Sequence, residues 1–230
     1  MRGTTVLLAM IVGGIFLPPV AQGGPAAPGD LRCEGLADPL GIDRAEPRLS
    51  WAIPPGERGL AQTAYQILVA DSSAALAAGR GNLWDSGKVE SDQSQWVAYA
   101  GQPLAKGSRS WWKVRVWDQA GEPSPWSAPA RFTVGPLSAS DFSGEWIGAG
   151  WMNDNEGPLP WLRKTIELEE APAAATAYVC ALGYYELYVN GRKVGDDVLS
   201  PAVSDYGKRG LYLAYDLTGR LFKGKILYAV

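Results

Sequence analysis

The run Trp112-Lys113-Val114-Arg115-Val116-Trp117 repeats with a period of two, with Trp112, Val114 and Val116 on one side and Lys113, Arg115 and Trp117 on the other. Successive side chains of a strand point to opposite faces, so this run predicts a half-buried strand. Its second face carries aliphatic stems with cationic heads, which predicts a stacked Arg and Trp ladder across Trp117 or Trp111 on an outer sheet. Asp118-Gln119-Ala120-Gly121 supplies the following turn, and Ser124-Pro125-Trp126-Ser127 leads into the next strand.

The same texture of short Val/Ile/Trp/Tyr segments between Gly, Pro, Asp and Ser clusters fills residues 31–134. It predicts strands at 31–36, 48–53, 62–70, 83–89, 95–99, 110–118 and 130–134. The one helical bias, at 72–78, is alanine-rich, ends at Gly79 and reads as a single turn or short helix. Seven strands with no cysteine pair across the sheets predict a fibronectin type III-like sandwich.

Small, polar residues and Pro136 then mark a seam at 135–141. Beyond it, Leu162, Lys164, Ile166 and Leu168 oppose Arg163, Thr165 and Glu167, and further strand-like segments follow at 175–182 and 184–189. Asn190-Gly191 is the strongest turn signal in the chain, because both residues tolerate positive φ and close a two-residue hairpin between 186–189 and 192–195. The run Lys225-Ile226-Leu227-Tyr228-Ala229-Val230 is apolar and strand-like with no polar tail. It predicts a truncated second sandwich whose last strand lacks neighbours and leaves an open edge, so that 31–134 folds alone and the region after Ser143 is association-prone.

Composition changes this picture in four places. Arg2, the apolar stretch Val6 to Leu17, Pro18-Pro19 and the small residues Ala21 and Gly23 predict a secretory signal peptide over residues 1–23, with 24–30 as a flexible tether and an uncleaved anchor as the alternative. The chain is thus expected to be secreted or periplasmic, with no membrane partner after cleavage. Loss of Arg2 takes the formal net charge from −3 to −4, and Lys and Arg are interspersed with acids, which argues against a nucleic-acid partner. Cys33 and Cys180 lie far apart in strand-like runs and are expected to be buried and unpaired rather than bridged. Histidine is absent, which removes Ser-His-Asp, Cys-His and HExxH zinc chemistry together.

An ordered series of segments carries a family resemblance. It begins with Asp38-Pro39-Leu40-Gly41-Ile42-Asp43, Pro47-Arg48-Leu49-Ser50-Trp51 and Gln62-Thr63-Ala64-Tyr65-Gln66-Ile67-Leu68-Val69-Ala70. It continues with Leu83-Trp84-Asp85-Ser86-Gly87-Lys88-Val89, the strand from Trp112 to Asp118, and Ala181-Leu182-Gly183-Tyr184-Tyr185-Glu186-Leu187-Tyr188-Val189-Asn190-Gly191. Ser204-Asp205-Tyr206-Gly207-Lys208-Arg209 and Tyr215-Asp216-Leu217-Thr218 complete it. The series resembles the N-terminal region of bacterial α-L-rhamnosidases of glycoside hydrolase family 78. The resemblance implies an all-β chain: a fibronectin type III-like domain at 31–135, a linker at 136–144 and an incomplete jelly-roll-like β-sandwich at 145–230. In that family an (α/α)6 barrel follows, whose acidic residues cleave terminal L-rhamnose with inversion. Nothing here matches the barrel, so no catalytic residue carries over and the missing catalytic domain is the implied partner.

Acidic pairs are present at Asp196-Asp197 and Glu169-Glu170, but both sit at turns or strand ends and read as solvated charges. An inverting pair needs two carboxyl groups about 6.5–9.5 Å apart across a cleft, and adjacent strand residues face opposite ways. The candidate carbohydrate-binding residues are Trp151, Asn153, Asp154 and Asn155, in the Gly-flanked loop that runs from Trp151 to Glu156 before Trp161. An aromatic face suits the apolar side of a pyranose, and Asp and Asn suit its hydroxyls. The implied ligand is a rhamnose-containing glycan, with calcium as the candidate cofactor, although the loop has no EF-hand spacing. A polar linker whose Trp151 packs on the seam is the competing reading of the same residues. Tyr184, Tyr185 and Tyr188 form a second aromatic cluster, expected to be core and cross-strand packing. For the whole chain, an extracellular fibronectin-like interaction module with no sugar ligand is the alternative function.

Overall fold

A computed structural model describes residues 24–55, 58–142, 144–150 and 159–230. The predicted signal peptide, and Trp151, Asn153, Asp154 and Asn155, lie outside the described residues.

The first half is a two-sheet sandwich. Its strands in chain order are β1 (Gly29–Cys33), β2 (Arg48–Ala52), β3 (Ala64–Ala70), β4 (Trp84–Asp85), β5 (Val89–Glu90), β6 (Val97–Ala98), β7 (Arg109–Trp117) and β8 (Ala130–Thr133). One sheet runs β1-β2-β6; the other runs β4-β3-β7-β8, with β5 also on β3. Leu49, Trp51, Ile67, Val69, Trp112, Val114, Val116, Phe132 and Val134 fill the space between them. The alternation along β7 is as expected, because Ser110, Trp112, Val114 and Val116 are buried while the intervening residues up to Arg115 are only partly covered. Residues 72–78 contain the expected short helix, α1 (Ser73–Ala77), whose first turn is capped by Ser72 Oγ accepting from Ala75 N.

The outer face of β7 carries the predicted ladder. The Arg115 guanidinium lies 4.8 Å from the ring centroids of both Trp117 and Trp126, Lys113 Nζ lies 5.0 Å from Trp126, and Lys88 Nζ lies 5.3 Å from Trp117. Trp117 is therefore buried although it points away from the core. Trp126 reaches the ladder because its segment is stitched to β7 twice. Ser124 N and Ser127 N donate to Val116 O and Val114 O, and Ser124 Oγ and Ser127 Oγ accept from Val116 N and Val114 N. The serine hydroxyls thus supply acceptors that a regular strand draws from its carbonyls.

The second half contains β9 (Arg163–Leu168), β10 (Thr176–Cys180), β11 (Tyr188–Val189), β12 (Arg192–Lys193), β13 (Tyr212–Asp216) and β14 (Gly224–Ala229). One sheet runs β12-β11-β14-β9, and β10 and β13 pair separately. Leu187, Val189, Val194, Tyr215, Leu217 and Ile226 form the core between them. Asn190 and Gly191 have φ of 50° and 77° and close the β11–β12 hairpin as expected.

The expected open edge at the last strand is corrected. β14 pairs with β9 along its whole length and with β11 on its other side, and Leu162 and Val230 exchange both backbone hydrogen bonds. Its neighbours come from earlier in the chain, so Ile226 is fully buried at the sheet centre. Among the described residues the edges of that sheet are β12 and β9, and β10 and β13 pair only with each other.

That pair is also the layer on which the two halves meet. Ala177, Val179, Leu213 and Tyr215 face the second core, so Tyr178, Tyr212 and Ala214 face the first sandwich. Tyr212 Oη donates to Gly41 O at 2.8 Å. A Cβ on Gly41 would lie 2.7 Å from Tyr178 Cε1 and 2.8 Å from Ala214 Cβ, and the residue has φ +69°. Only glycine meets both conditions. The connecting segment holds a 3-10 turn at Ala139–Asp141, where Asp141 accepts from Leu137 N and Ser138 N and its carbonyl accepts from Lys106 Nζ.

Candidate functional site

C-terminal to the predicted sugar-binding loop, the segment that leads into β9 is placed by β9 and β14. The Leu162–Val230 pairing extends the sheet and holds Trp161 beside β11, where its ring lies 5.4 Å from Tyr188 at 45°. Trp161 is 71% exposed. Tyr188 alternates with the buried Leu187 and Val189 and so faces away from the core.

A polar border adjoins this aromatic pair. Tyr188 Oη donates to Glu186 Oε2 at 2.7 Å, and Lys193 Nζ donates to Glu186 Oε1 at 2.6 Å and to Asp197 O at 3.1 Å. The two side-chain hydrogen bonds, from Lys193 and then Tyr188, hold the Glu186 carboxyl below its usual range. An exposed indole and phenol edged by fixed donors and acceptors can stack on a sugar ring and bind its hydroxyls.

The three tyrosines separate. Tyr185 belongs to the second core, edge-on to Tyr215 with its hydroxyl on Val179 O, and burial pushes its phenol far up. Tyr184 is exposed, and Tyr188 joins Trp161. The expectation of core and cross-strand packing therefore holds for Tyr185 in the core and for Tyr188 across the sheet, and is corrected for the exposed Tyr184. The signal for Tyr188 was in the sequence, since the apolar neighbours Leu187 and Val189 claim the inward face.

Among the described residues, the carboxyl groups with perturbed titration are Glu34, Asp141, Glu186 and Asp216, and all four are held down. At Glu34 burial pushes upward, but Arg48's hydrogen bonds and charge outweigh it. A general acid for glycoside cleavage needs the opposite shift. Cys33 is a buried free thiol, which burial pushes up to about 12, whereas Cys180, expected to be buried, is a half-buried one. No group of His, Cys, Asp and Glu suited to a metal occurs among the described residues.

Comparison with known proteins gives two family matches in series. Residues 28–138 match the Rha78A-like, N-terminal immunoglobulin domain, and residues 170–229 match the Alpha-L-rhamnosidase N-terminal domain. An α-L-rhamnosidase of Formosa agariphila is 37% identical over 214 residues, covering 82% of this chain and 22% of that protein. The solved α-L-rhamnosidase from Dictyoglumus thermophilum superposes with a TM-score of 0.80 at 32% identity, over 88% of this chain and 24% of that one. The Streptomyces avermitilis α-L-rhamnosidase, solved in complex with L-rhamnose, gives a TM-score of 0.52 at 32% identity, covering 88% of this chain and 21% of that one. The chain thus spans about 22% of the length of the curated relatives it matches. With both domains in the same order, it belongs to the α-L-rhamnosidase family as an N-terminal region.

Proposed function

We propose that this chain is the exported, non-catalytic supporting segment of an α-L-rhamnosidase and that its second sandwich binds rhamnosides. The observation that carries the binding half is the outward Trp161–Tyr188 pair beside the Glu186–Lys193 border, at the end of the loop holding Trp151, Asn153, Asp154 and Asn155. The pair offers an aromatic platform with hydroxyl partners beside it, and the loop adds residue types suited to the same ligand. Asn153, Asp154 and Asn155 are oxygen-bearing residue types of the kind that calcium takes as ligands. The comparison protein crystallised with L-rhamnose supports the choice of sugar.

The supporting half rests on surface chemistry. Leu182, Tyr184, Val198, Leu199 and Val203 are exposed in the second sandwich, and Tyr185 N donating to Ser200 O brings their two segments together. A contiguous apolar surface of this kind marks a contact region, and the catalytic domain present in the longer relatives is the partner it fits. Residues 1–23 have the composition of an export signal, which puts the protein outside the cytoplasm.

Calorimetric titration of the purified chain with L-rhamnose tests the binding reading. Changing Asp154 and Asn155 together to Ala abolishes the heat while leaving thermal unfolding of the first sandwich unchanged. Unaltered affinity in that double variant moves the site elsewhere, and absence of binding by the parent chain in the presence of calcium rejects rhamnoside binding.

A further inference from the structure

The seam between the sandwiches encloses a second cleft, of about 100 Å³, bordered by Asp38, Pro39, Leu40, Arg109, Arg131 and Asp216. Its walls are fixed by backbone. Asp38 Oδ1 accepts from Arg131 N at 2.8 Å, Thr133 Oγ1 accepts from Gly41 N at 2.7 Å, and Ile42 pairs with Val134 as a parallel bridge. On the opposite side Asp216 Oδ1 accepts from Thr218 N at 2.8 Å.

Inside this frame the two carboxylates already accept from Arg131 N and from Thr218. Among the described residues neither guanidinium has a carboxylate within ion-pair distance, and Arg109 rests only loosely over Trp111, 6.0 Å from the ring centroid. Both nevertheless face Asp216, whose carboxyl is held low first by Thr218's hydrogen bonds and then by the charges of Arg109 and Arg131. Two cations and two anions cancel, so neither a simple anion nor a cation is drawn in by net charge. The frame offers donors, on the guanidiniums, and further acceptor capacity, on carboxylates whose two oxygens together can accept about four hydrogen bonds. A hydroxyl is the ligand group that is both donor and acceptor, and two neighbouring ring hydroxyls present a fork that matches a guanidinium or a carboxylate plane.

We infer that this cleft is a second carbohydrate site, which takes a vicinal diol at the edge of a neutral sugar ring. At about 100 Å³ the cleft admits two hydroxyls and the carbons that bear them, and it is smaller than the clefts of about 300–1,000 Å³ that bury whole ligands. Pro39 and Leu40 supply the apolar wall for those carbons. The site spans both sandwiches, because Arg109 and Arg131 lie on β7 and β8 and Asp216 lies on β13. Sugar held there bridges the two halves. The inference rests on the reading that the chain binds rhamnosides, but it assigns the site to residues other than those of the loop at Trp151.

The test is nuclear magnetic resonance of the whole chain titrated with L-rhamnose, following the Nε–H signals of Arg109 and Arg131 and the indole signal of Trp151. The arginine signals move and saturate, keep doing so in the Asp154→Ala, Asn155→Ala double variant, and require at least tenfold more sugar in Arg131→Gln or Asp216→Asn. Unchanged thermal unfolding of those two exposed-residue variants confirms that they fold. Still arginine signals with a moving Trp151 overturn the seam site and leave the loop reading standing. Moving arginine signals with a still Trp151 support the seam site and reject the loop. Stillness of all three rejects both, and a response to sodium phosphate but not to rhamnose overturns the diol assignment.

Discussion

Tyr212 reaches across the seam to the carbonyl of Gly41, 171 positions earlier in the chain, and its hydroxyl is 2.8 Å from that oxygen. The contact is possible because Gly41 has no side chain where Tyr178 and Ala214 pack.

Gly41→Val is therefore expected to open the seam. A non-glycine residue at φ +69° costs about 1–2 kcal/mol, and the added carbons must also displace Tyr178 or Ala214. Tyr212→Phe removes only the hydrogen bond and costs about 0.5–1.5 kcal/mol. Differential scanning calorimetry checks both: the valine variant splits the unfolding profile into two transitions, and the phenylalanine variant lowers the single transition without splitting it. A single unshifted transition in both would show that the halves are coupled elsewhere.

The ladder on β7 gives a second expectation. Arg115 stacks between Trp117 and Trp126 and also donates to Gln66 Oε1 at 2.8 and 3.1 Å. Arg115→Ala is expected to destabilise the first sandwich by about 1–2 kcal/mol, and Arg115→Lys by less, because an ammonium keeps the charge but loses the planar stack. Urea unfolding followed by tryptophan fluorescence measures this. Equal losses for Ala and Lys would mean that the guanidinium plane contributes nothing.

A third expectation concerns acid. Glu34 accepts from Arg48 N, Nε and Nη2 and has Arg44 nearby, and its carboxyl is held below the usual glutamate range. A depressed folded-state value means that the group stabilises the fold fully above its unfolded value, near pH 4.3, and loses that contribution as pH falls through the lower folded value. Melting temperature recorded from pH 6 to pH 2.5 should fall less steeply in Glu34→Gln than in the parent. Parallel curves would remove Glu34 from the acid response.

The readable parts of the sequence were the local ones. Trp112 to Trp117 announces its own two faces, and Asn190-Gly191 announces its own turn, because strand periodicity and positive φ are written into consecutive residues. The position of β14 was not readable in that way. Tyr228 lies between Val189 and Lys164, and nothing in the last six residues names partners found that far back. Gly41 looked like one more loop glycine, since its constraint comes from Tyr178 and Ala214. At the candidate site the residue types of the loop were legible, whereas the Trp161–Tyr188 pair depends on sheet β12-β11-β14-β9 bringing two distant segments together.

The stitching of Ser124 and Ser127 to β7 has a consequence for how the first sandwich meets its neighbours in a crowded solution. The segment that flanks Val114 and Val116 includes Pro123, Pro125 and Pro129, none of which has an N–H to offer outward, while its Ser124 and Ser127 N–H groups are already spent on β7. An incoming strand finds a broken row of donors there and cannot zip onto it. By letting hydroxyls do the work of missing carbonyl acceptors, the chain can keep proline in its outermost rung, so the sheet is closed to polymerisation on that side by its own sequence.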